Sequence, residues 1–327
     1  MTRLESWYSG VQTFTEGLLS ARKRRRLRRQ ERQKKKNPIL DWVEAFLWAA
    51  AVVLLINQYL FQAYQIPSGS MERTLLIGDR IFVNKFIFGP ELLPGLGKLP
   101  GFRQPTRDNV IIFENPLYLS RGPVFDIVQR VLYMLTLSLV DIDRNKEGQP
   151  RAHFLIKRAI GIGGDRLRIS EGSVWLKPRG IDRWIPEAEF KKLTDAHYTT
   201  RRMLDAQDYV AIHAQAILDA YKTAGLTPSP AVVKDAQLPV HAYGDEYEWM
   251  GTRARTLYEI YPEQTGVRND WSQFKLGWYI PKGWIFAMGD NRDNSKDSRY
   301  FGPVPIRTVL GKAMFIYWPI DRIGPIR

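Results

Sequence analysis

Two serines separated by one glycine, Ser68 and Ser70, lie in the stretch QIPSGSME at residues 65–72. A serine hydroxyl is a weak nucleophile at neutral pH unless a neighbouring base removes its proton. Histidine is the familiar base, but of the four histidines only His153 borders a predicted strand, and none lies in a context such as G-x-S-x-G. The sequence therefore gives no positive support to a Ser-His-Asp site, although sequence spacing does not exclude one.

Lysine is the other possible base, and it must then be neutral. An ordinary lysine pKa of about 10.4 leaves well under one per cent of the amine neutral at pH 7, but burial in an apolar setting lowers that pKa. Lys157, in FLIKRAIGIGGD, is surrounded by apolar residues of a predicted strand, whereas Arg158 would face the other side of it. Lys157 is therefore the candidate base, although the same local pattern is also typical of a surface lysine on an edge strand.

A third polar stretch, MGDNRDNSKDSRYFGPVP at residues 288–305, lies between predicted strands. Taken alone, it is typical of a solvated loop. Its alternating acidic residues are similar to a calcium loop, but the closing glutamate of such a loop is absent at the required distance. The sequence therefore favours neither a metal site nor any cofactor, and the chain contains no cysteine that could form a disulfide or ligate a metal.

An apolar segment precedes the two serines and must set their position. No charged residue occurs between Ala45 and Met71. A helix over residues 42–61 would be about 30 Å long, the thickness of a bilayer's hydrocarbon core. We interpret it as a retained membrane anchor, with a buried core helix as the alternative. Ser70 would then lie within about 30 Å of the end of the anchor.

The net charge of +14 is concentrated at the amino terminus, where the first 36 residues carry +9. The basic run ARKRRRLRRQERQKKK, residues 21–36, could by itself be a nuclear-targeting or nucleic-acid patch. Because it directly precedes the apolar segment, we interpret it as the positively charged cytoplasmic flank of the anchor. The rest of the chain is then expected on the outer side of the membrane.

Beyond the anchor, short β-like runs bounded by Gly, Pro, Asn and Asp predict an antiparallel, mainly β domain. These runs lie at 80–88, 109–114, 153–161, 166–169, 173–177, 284–289 and 312–319. Residues 124–140 predict a helix that either lies at the membrane interface or packs on the sheet. Residues 185–226 predict a polar helical insertion, and its continuation to about 275 has no clear assignment.

Three motifs in this order, PSGSM, IKRAIGIGGD and GDNRDNSKDSRYFGPV, behind a positive-inside anchor, resemble bacterial type I signal peptidases. These are membrane-anchored serine endopeptidases with a Ser/Lys dyad. The resemblance covers roughly residues 40–116, 153–177 and 280–319. It implies an antiparallel β-sheet catalytic domain of signal-peptidase type and the removal of signal peptides from preproteins after small residues.

The resemblance also implies roles for individual residues. Ser70 is the expected nucleophile and Lys157 the general base, while the Ser70 amide and the Ser68 hydroxyl would form the oxyanion hole. Ser295 would orient the lysine amine. The expected supporting residues are Asp290, Asn291, Asp297 and Arg299, the last two as an ion pair, and the expected substrate pocket residues are Tyr64, Ile66, Pro67, Leu75 and Ile156.

The predicted organisation is a basic cytoplasmic tail, an anchor, and a β domain with two insertions. The boundaries are 1–36 for the tail, 37–62 for the anchor, 63–179 with 276–327 for the catalytic domain, 117–152 for the first insertion and 180–275 for an inserted second subdomain. The expected partners are preprotein signal peptides and a bilayer with anionic lipids at the tail, not nucleic acid. The expected location is the bacterial inner membrane, with the catalytic domain on its outer face.

The insertion at 117–152, the long basic tail, and GIGGD in place of the more frequent Leu-Pro after the lysine depart from the common family pattern. The sequence allows three other interpretations. A non-catalytic anchored interaction module would need Ser70 or Lys157 replaced or displaced, and a soluble self-cleaving repressor would carry a DNA-binding domain in place of an anchor. A nucleic-acid-binding membrane protein would bind through the 21–36 tail.

Overall fold

The computed structural model describes residues 15–17, 19–25, 38–92, 97–241 and 244–326. Much of the basic run at 21–36 therefore lies outside the described residues. The chain forms two compact units, which divide between Val53 and Leu54. The larger unit contains every strand and the candidate site.

The first long helix, α1, spans Pro38–Tyr59. Proline is well suited to the first turn of a helix, where its missing N–H group leaves no intrahelical partner unsatisfied. At about 1.5 Å per residue the 22 residues extend over roughly 33 Å. Among the described residues, α1 is the one helix long and apolar enough to cross a membrane. It begins four residues before the predicted start, Trp42, and ends two residues before Phe61.

The large sheet is antiparallel throughout and contains the residues on both sides of the candidate site. Its strands are β1 (Phe61–Gln65), β2 (Arg80–Asn84), β3 (Val110–Glu114), β4 (Phe154–Ile162), β9 (Trp284–Met288), β10 (Val304–Pro305), β11 (Val309–Trp318) and β12 (Gly324–Pro325). The strand order is β1-β2-β11-β3-β4-β9-β10, with β12 paired to β11. The predicted antiparallel, mainly β fold class is thus confirmed.

A second antiparallel sheet and most of the helices lie in the middle of the sequence. The small sheet has the order β7-β6-β5-β8 and consists of β5 (Arg166–Ser170), β6 (Ser173–Lys177), β7 (Ile185–Pro186) and β8 (Trp278–Tyr279). The remaining helices are α2 (Pro123–Leu135), α3 (Glu187–Leu193), α4 (Ala206–Thr223), α5 (Pro230–Asp235), α6 (Glu246–Ile260), α7 (Thr265–Leu276) and α8 (Ser298–Phe301). Short 3-10 turns occur at Gly69–Met71, Phe86–Phe88, Arg292–Asn294, Ile306–Thr308 and Ile320–Arg322.

Three predicted elements are shortened by four residues or more, or divided, in the structure. The helix predicted over 124–140 ends at Leu135, because Leu137 and Ser138 have positive φ angles of 48° and 66°. The strand predicted over 80–88 ends at Asn84 and is followed by a 3-10 turn. The single helical stretch predicted over 185–226 is divided into α3 and α4 by residues 194–205, and the unassigned continuation forms three further helices.

The pairing of β4 leaves half of one strand edge open. Along its whole first half β4 pairs with β3, so that Lys157 lies opposite Ile111. On its other edge, pairing with β9 begins only at Arg158, opposite Met288. Among the described residues, the edge from Phe154 to Lys157 therefore has no strand partner, and β1 is an end strand of the sheet. Two unpaired edges are consequently available near the candidate site.

Candidate active site

The Ser70 hydroxyl and the Lys157 amine face each other across 2.7 Å between Oγ and Nζ. Ser70 lies in the 3-10 turn Gly69–Met71, just beyond β1, and Lys157 lies near the middle of β4. Both are buried, with exposures of 7% and 3%. Within the described residues no histidine is hydrogen-bonded to Ser70, and the His153 ring stacks between Tyr118 and Phe154. The structure thus pairs the serine with a lysine.

The environment of Lys157 favours its neutral form. The pKa of the amine is lowered to about 8, chiefly by burial; the charges of Asp297 and Asp290 oppose this shift, and the charge of Arg299 adds to it. Besides the serine, the amine bonds to the Ile156 carbonyl oxygen at 3.0 Å. A substantial fraction of this amine is therefore neutral near pH 8, and only the neutral form has the lone pair that accepts a proton.

The turn that carries Ser70 is fixed by Asn291. The backbone N–H of Asn291 donates to the Ser70 carbonyl oxygen at 3.1 Å, and its side-chain amide donates to the Gly69 carbonyl oxygen at 3.1 Å. Ser68, one residue before the turn, is exposed and makes no side-chain hydrogen bond to the turn that it precedes. Its hydroxyl is thus available to a bound molecule.

Asp297 bonds to three residues of the polar loop that contains it. Its carboxylate accepts from the Ser295 hydroxyl at 2.8 Å, from the Gly289 amide at 3.0 Å, and from Arg299, whose ion pair measures 2.9 Å. Burial by itself would raise the pKa of this carboxyl, but the Arg299 charge and these hydrogen bonds hold it below its ordinary value. Asp297 is therefore a buried, fully bonded anion.

Ser295 was expected to orient the lysine amine, but its hydroxyl is directed at Asp297 in this structure. Within the described residues, the amine hydrogen bonds go to Ser70 and Ile156 instead. Ser295 nevertheless lies close to the serine turn, since a Cβ on Gly289 would overlap the Ser295 hydroxyl and approach the Ser70 carbonyl oxygen to 2.5 Å. Its orienting role stays a prediction.

Asp290 forms a buried ion pair with Arg158, the residue that follows Lys157. Arg158 donates through Nε at 2.9 Å and through Nη2 at 2.8 Å, and both side chains are at most 1% exposed. Thr74 adds a third bond at 2.5 Å. As the alternation of a strand predicts, Arg158 and Lys157 point to opposite faces of β4. The ion pair thereby ties the polar loop to the strand that carries the amine.

The helical insertion is bound to the same polar loop. Glu187, at the start of α3, pairs with the buried Arg292 at 2.6 Å. The Asp293 carboxylate accepts from Arg202 at 2.8 Å and from two backbone amides of the insertion, and Arg201 forms a parallel bridge with Asn291. These contacts were not predicted from the sequence. Their partners lie about 100 residues apart, and no local pattern indicates which charged residues pair.

A cavity of about 320 Å³ adjoins the two open strand edges. Its walls come from the end of β1 and the start of β4, together with α2 and the segment after it. Four of the five predicted pocket residues line it, namely Tyr64, Ile66, Pro67 and Ile156, whereas Leu75 is fully buried in the core beside them. The Gln65 amide, which points away from β2, donates to the Tyr133 hydroxyl of α2 at 3.3 Å. The insertion at 117–152 thus forms one side of this groove.

An antiparallel β domain in which a buried lysine, not a histidine, is bonded to a serine has the architecture of a Ser/Lys serine endopeptidase. The profile of the family described as "Signal peptidase, peptidase S26" matches residues 39–318. The chain belongs to this family.

Several curated relatives named "Signal peptidase I" are similar to the chain over most of its length. The relative from Haemophilus influenzae is 27% identical and covers 90% of this chain and 74% of its own. The relative from Pseudomonas aeruginosa is 26% identical, with 88% and 77% covered. The relative from Aquifex aeolicus is 28% identical, with 84% and 82% covered. The chain is accordingly a serine endopeptidase of the signal peptidase I type.

Proposed function

We propose that this endopeptidase removes signal peptides from exported preproteins, with Ser70 as the nucleophile and Lys157 as the general base. The observation that carries the assignment is the 2.7 Å contact between Ser70 Oγ and an amine whose burial lowers its pKa to about 8. At that pKa roughly one amine in ten is neutral at pH 7, against well under one in a thousand for an ordinary lysine. The site is therefore prepared for proton transfer from the serine.

The reaction proceeds as two acyl transfers. The neutral Lys157 amine takes the Ser70 proton as Oγ attacks the peptide carbonyl carbon, and the resulting ammonium donates a proton to the departing amine. The amine, neutral again, then removes a proton from the water that hydrolyses the ester, and it returns that proton to Ser70 Oγ as the acyl group leaves. The Ser70 amide and the exposed Ser68 hydroxyl are the donors proposed for the developing oxyanion.

The substrate is proposed to bind as an extended strand between the two open edges, those of β1 and of Phe154–Lys157. An extended peptide can add to an unpaired edge through its backbone, while pockets select alternate side chains. The apolar walls next to the catalytic pair include Ile66 and Ile156, both on the 320 Å³ cavity. A cavity of this size, shared by several substrate residues, favours small side chains at the cleavage site.

The location proposed for the reaction is the outer surface of the bacterial inner membrane. The eleven Lys/Arg residues of segment 22–36 favour retention of the amino terminus in the cytoplasm. Ser70 follows the last residue of α1 by eleven positions, so it lies within about 40 Å of the helix end even for a fully extended chain. A signal peptide whose apolar region lies in the bilayer presents its cleavage site at this same surface.

We also propose the domain boundaries derived from the sequence. The tail would end at residue 36 and the anchor at 62, and the catalytic domain would comprise 63–179 and 276–327. Residues 180–275 would then be an inserted subdomain, and their supporting feature is that the four helices α3 to α6 lie within this range and α7 begins in it.

The test is cleavage of a preprotein in detergent by the wild type, Ser70→Ala and Lys157→Met. Matched controls are Ser173→Ala and Lys177→Met, which change the same residue types on β6 of the small sheet. We expect both site variants to lose activity while the controls keep it, with unchanged circular dichroism in all four. Activity retained in either site variant would refute the Ser/Lys assignment, and no cleavage by the wild type itself would leave the non-catalytic module as the better description.

A further inference from the structure

The helix α2 has its polar and apolar sides reversed relative to a helix on a water-soluble domain. Such a helix normally buries its apolar stripe and exposes its charges. In α2 the buried side chains are Gln129, Arg130 and Met134, two of them polar, whereas six large apolar side chains are exposed. The exposed ones are Val124, Ile127, Val128, Val131, Leu132 and Leu135. An apolar helix face that is not packed against protein needs an apolar partner.

The exposed apolar surface continues beyond the helix. Leu137, Leu139 and Val140, which follow α2, are exposed by 44%, 64% and 44%. Together with the exposed face of α2 they form a continuous segment, residues 124–140, in which most large apolar side chains are exposed. Monomeric soluble proteins rarely expose large contiguous apolar patches, and such patches mark interaction surfaces. The segment 124–140 is therefore more than a structural wall of the groove.

The buried side of α2 is attached to the outer end of α1. Arg130 forms an ion pair with Glu91 at 2.6 Å, and both side chains are largely buried. The Glu91 carbonyl oxygen accepts from the Gln58 side chain at 3.0 Å, and Gln58 lies in the last turn of α1. Lys85 donates to the Gln58 carbonyl oxygen at 3.4 Å. These polar contacts hold α2 beside the point at which the membrane-spanning helix ends.

We propose that the exposed apolar face of α2, continued by residues 137–140, docks into the outer leaflet of the lipid bilayer. A helix at the level where α1 leaves the membrane meets the boundary between headgroups and acyl chains. An amphipathic helix lies in that boundary with its apolar side toward the acyl chains. The inference rests on the proposed membrane span of α1, but not on the Ser/Lys chemistry.

The absence of cysteine from the chain makes the test direct, because one introduced cysteine gives one labelled position. Three valines have nearly equal exposure: Val52 in α1 at 46%, Val128 in α2 at 47% and Val210 in α4 at 46%. Each is changed to cysteine in the full chain and labelled with an environment-sensitive fluorophore. The labelled proteins are then placed in phosphatidylcholine–phosphatidylglycerol vesicles with or without lipids spin-labelled on the acyl chain.

Quenching by the spin-labelled lipids at residues 52 and 128, but not at 210, is the expected result. A label at 128 that behaves like the one at 210 would overturn the docking proposal. Absence of quenching at 52 would overturn it too, because α1 would then not span the membrane. Shielding of residue 128 in detergent that increases with protein concentration would assign this face to a second copy of the chain.

A second measurement uses activity and separates the docking surface from the catalytic pair. The double variant Ile127→Asp/Val128→Asp should cleave a preprotein embedded in vesicles more slowly, yet cleave a short soluble peptide in detergent at the wild-type rate. Val210→Asp is the matched control and should change neither rate. Equal rates of the double variant and wild type on the embedded preprotein would contradict the proposal, whereas loss on both substrates would assign the face to folding.

Discussion

The pH dependence of cleavage is a direct consequence of the buried amine. With the Lys157 pKa lowered to about 8 by burial, the active neutral form is gained as the pH rises through 8 and lost as it falls below it. The neutral fraction is about 0.01 at pH 6, about 0.1 at pH 7, about 0.5 at pH 8 and about 0.9 at pH 9. We therefore expect kcat/KM to rise about tenfold from pH 6 to 7, about fivefold from 7 to 8 and less than twofold from 8 to 9.

The assay is the initial rate on a short soluble peptide in detergent at a substrate concentration far below KM. Under these conditions kcat/KM reports the protonation of the free enzyme. Circular dichroism at each pH controls for unfolding, and Lys157→Met gives the background rate. A rise that continues about tenfold per unit through pH 9 would show an ordinary, solvated lysine and refute our reasoning. A midpoint below pH 6.5 would instead indicate a buried histidine, and His153, on the cavity wall, would be the first one to test, because burial lowers the pKa of its ring.

Three further predictions concern single residues. Because the folded-state pKa of Lys157 lies below its unfolded value, the penalty for burying its charge is fully present below pH 8 and is relieved between pH 8 and about 10.5. Lys157→Met should therefore raise the free energy of unfolding at pH 7 by up to about 3 kcal/mol. Denaturant titrations should show that this gain decreases toward pH 10. Ser68→Ala should lower kcat by roughly 10²–10³ with little change in KM, as measured by steady-state kinetics, and an unchanged kcat would remove Ser68 from the oxyanion hole. Gly289→Ala should lower the free energy of unfolding by about 1–3 kcal/mol, because the new Cβ would overlap the Ser295 hydroxyl. Gly266 has open space around it, so Gly266→Ala should leave the stability unchanged. Equal melting temperatures of the two variants would contradict this prediction.

The strands and the anchor were predictable because each depends on local sequence. Periodic apolar runs and their Gly, Pro and Asn boundaries predicted β4 to within one residue at each end. The end of α2 was wrong by five residues, since no glycine or proline marks the left-handed conformation at Leu137 and Ser138. Two helices after residue 205 have start signals that lie in capping residues and not in apolar runs. Asp205 forms a capping box, and Ser229 caps the helix that begins with Pro230.

The residues of the candidate site were predictable only through the resemblance of three short motifs. The local pattern around Lys157 is equally compatible with a surface lysine, and its burial depends on elements more than 100 positions away, such as the loop that carries Asp290 and Asp297. For the same reason Thr74 and Gly289 could not be assigned, because their significance lies in contacts with Asp290 and Ser295. The spacing of residues in the sequence does not predict which of them come into contact in the fold.

The attachment of the helical insertion to the polar loop limits how far the protein can be shortened. Glu187 neutralises the buried Arg292, and Arg202 and the amides after it bond to Asp293. Removing residues 187–204 would therefore leave a buried cation without its counter-ion and a buried carboxylate without these donors. Uncompensated buried charges of this kind commonly destabilise a protein by about 3–5 kcal/mol. A minimal version of this enzyme, made for crystallisation or inhibitor screening, should therefore be cut within α4 to α7 and keep the segment from α3 to Leu204 intact.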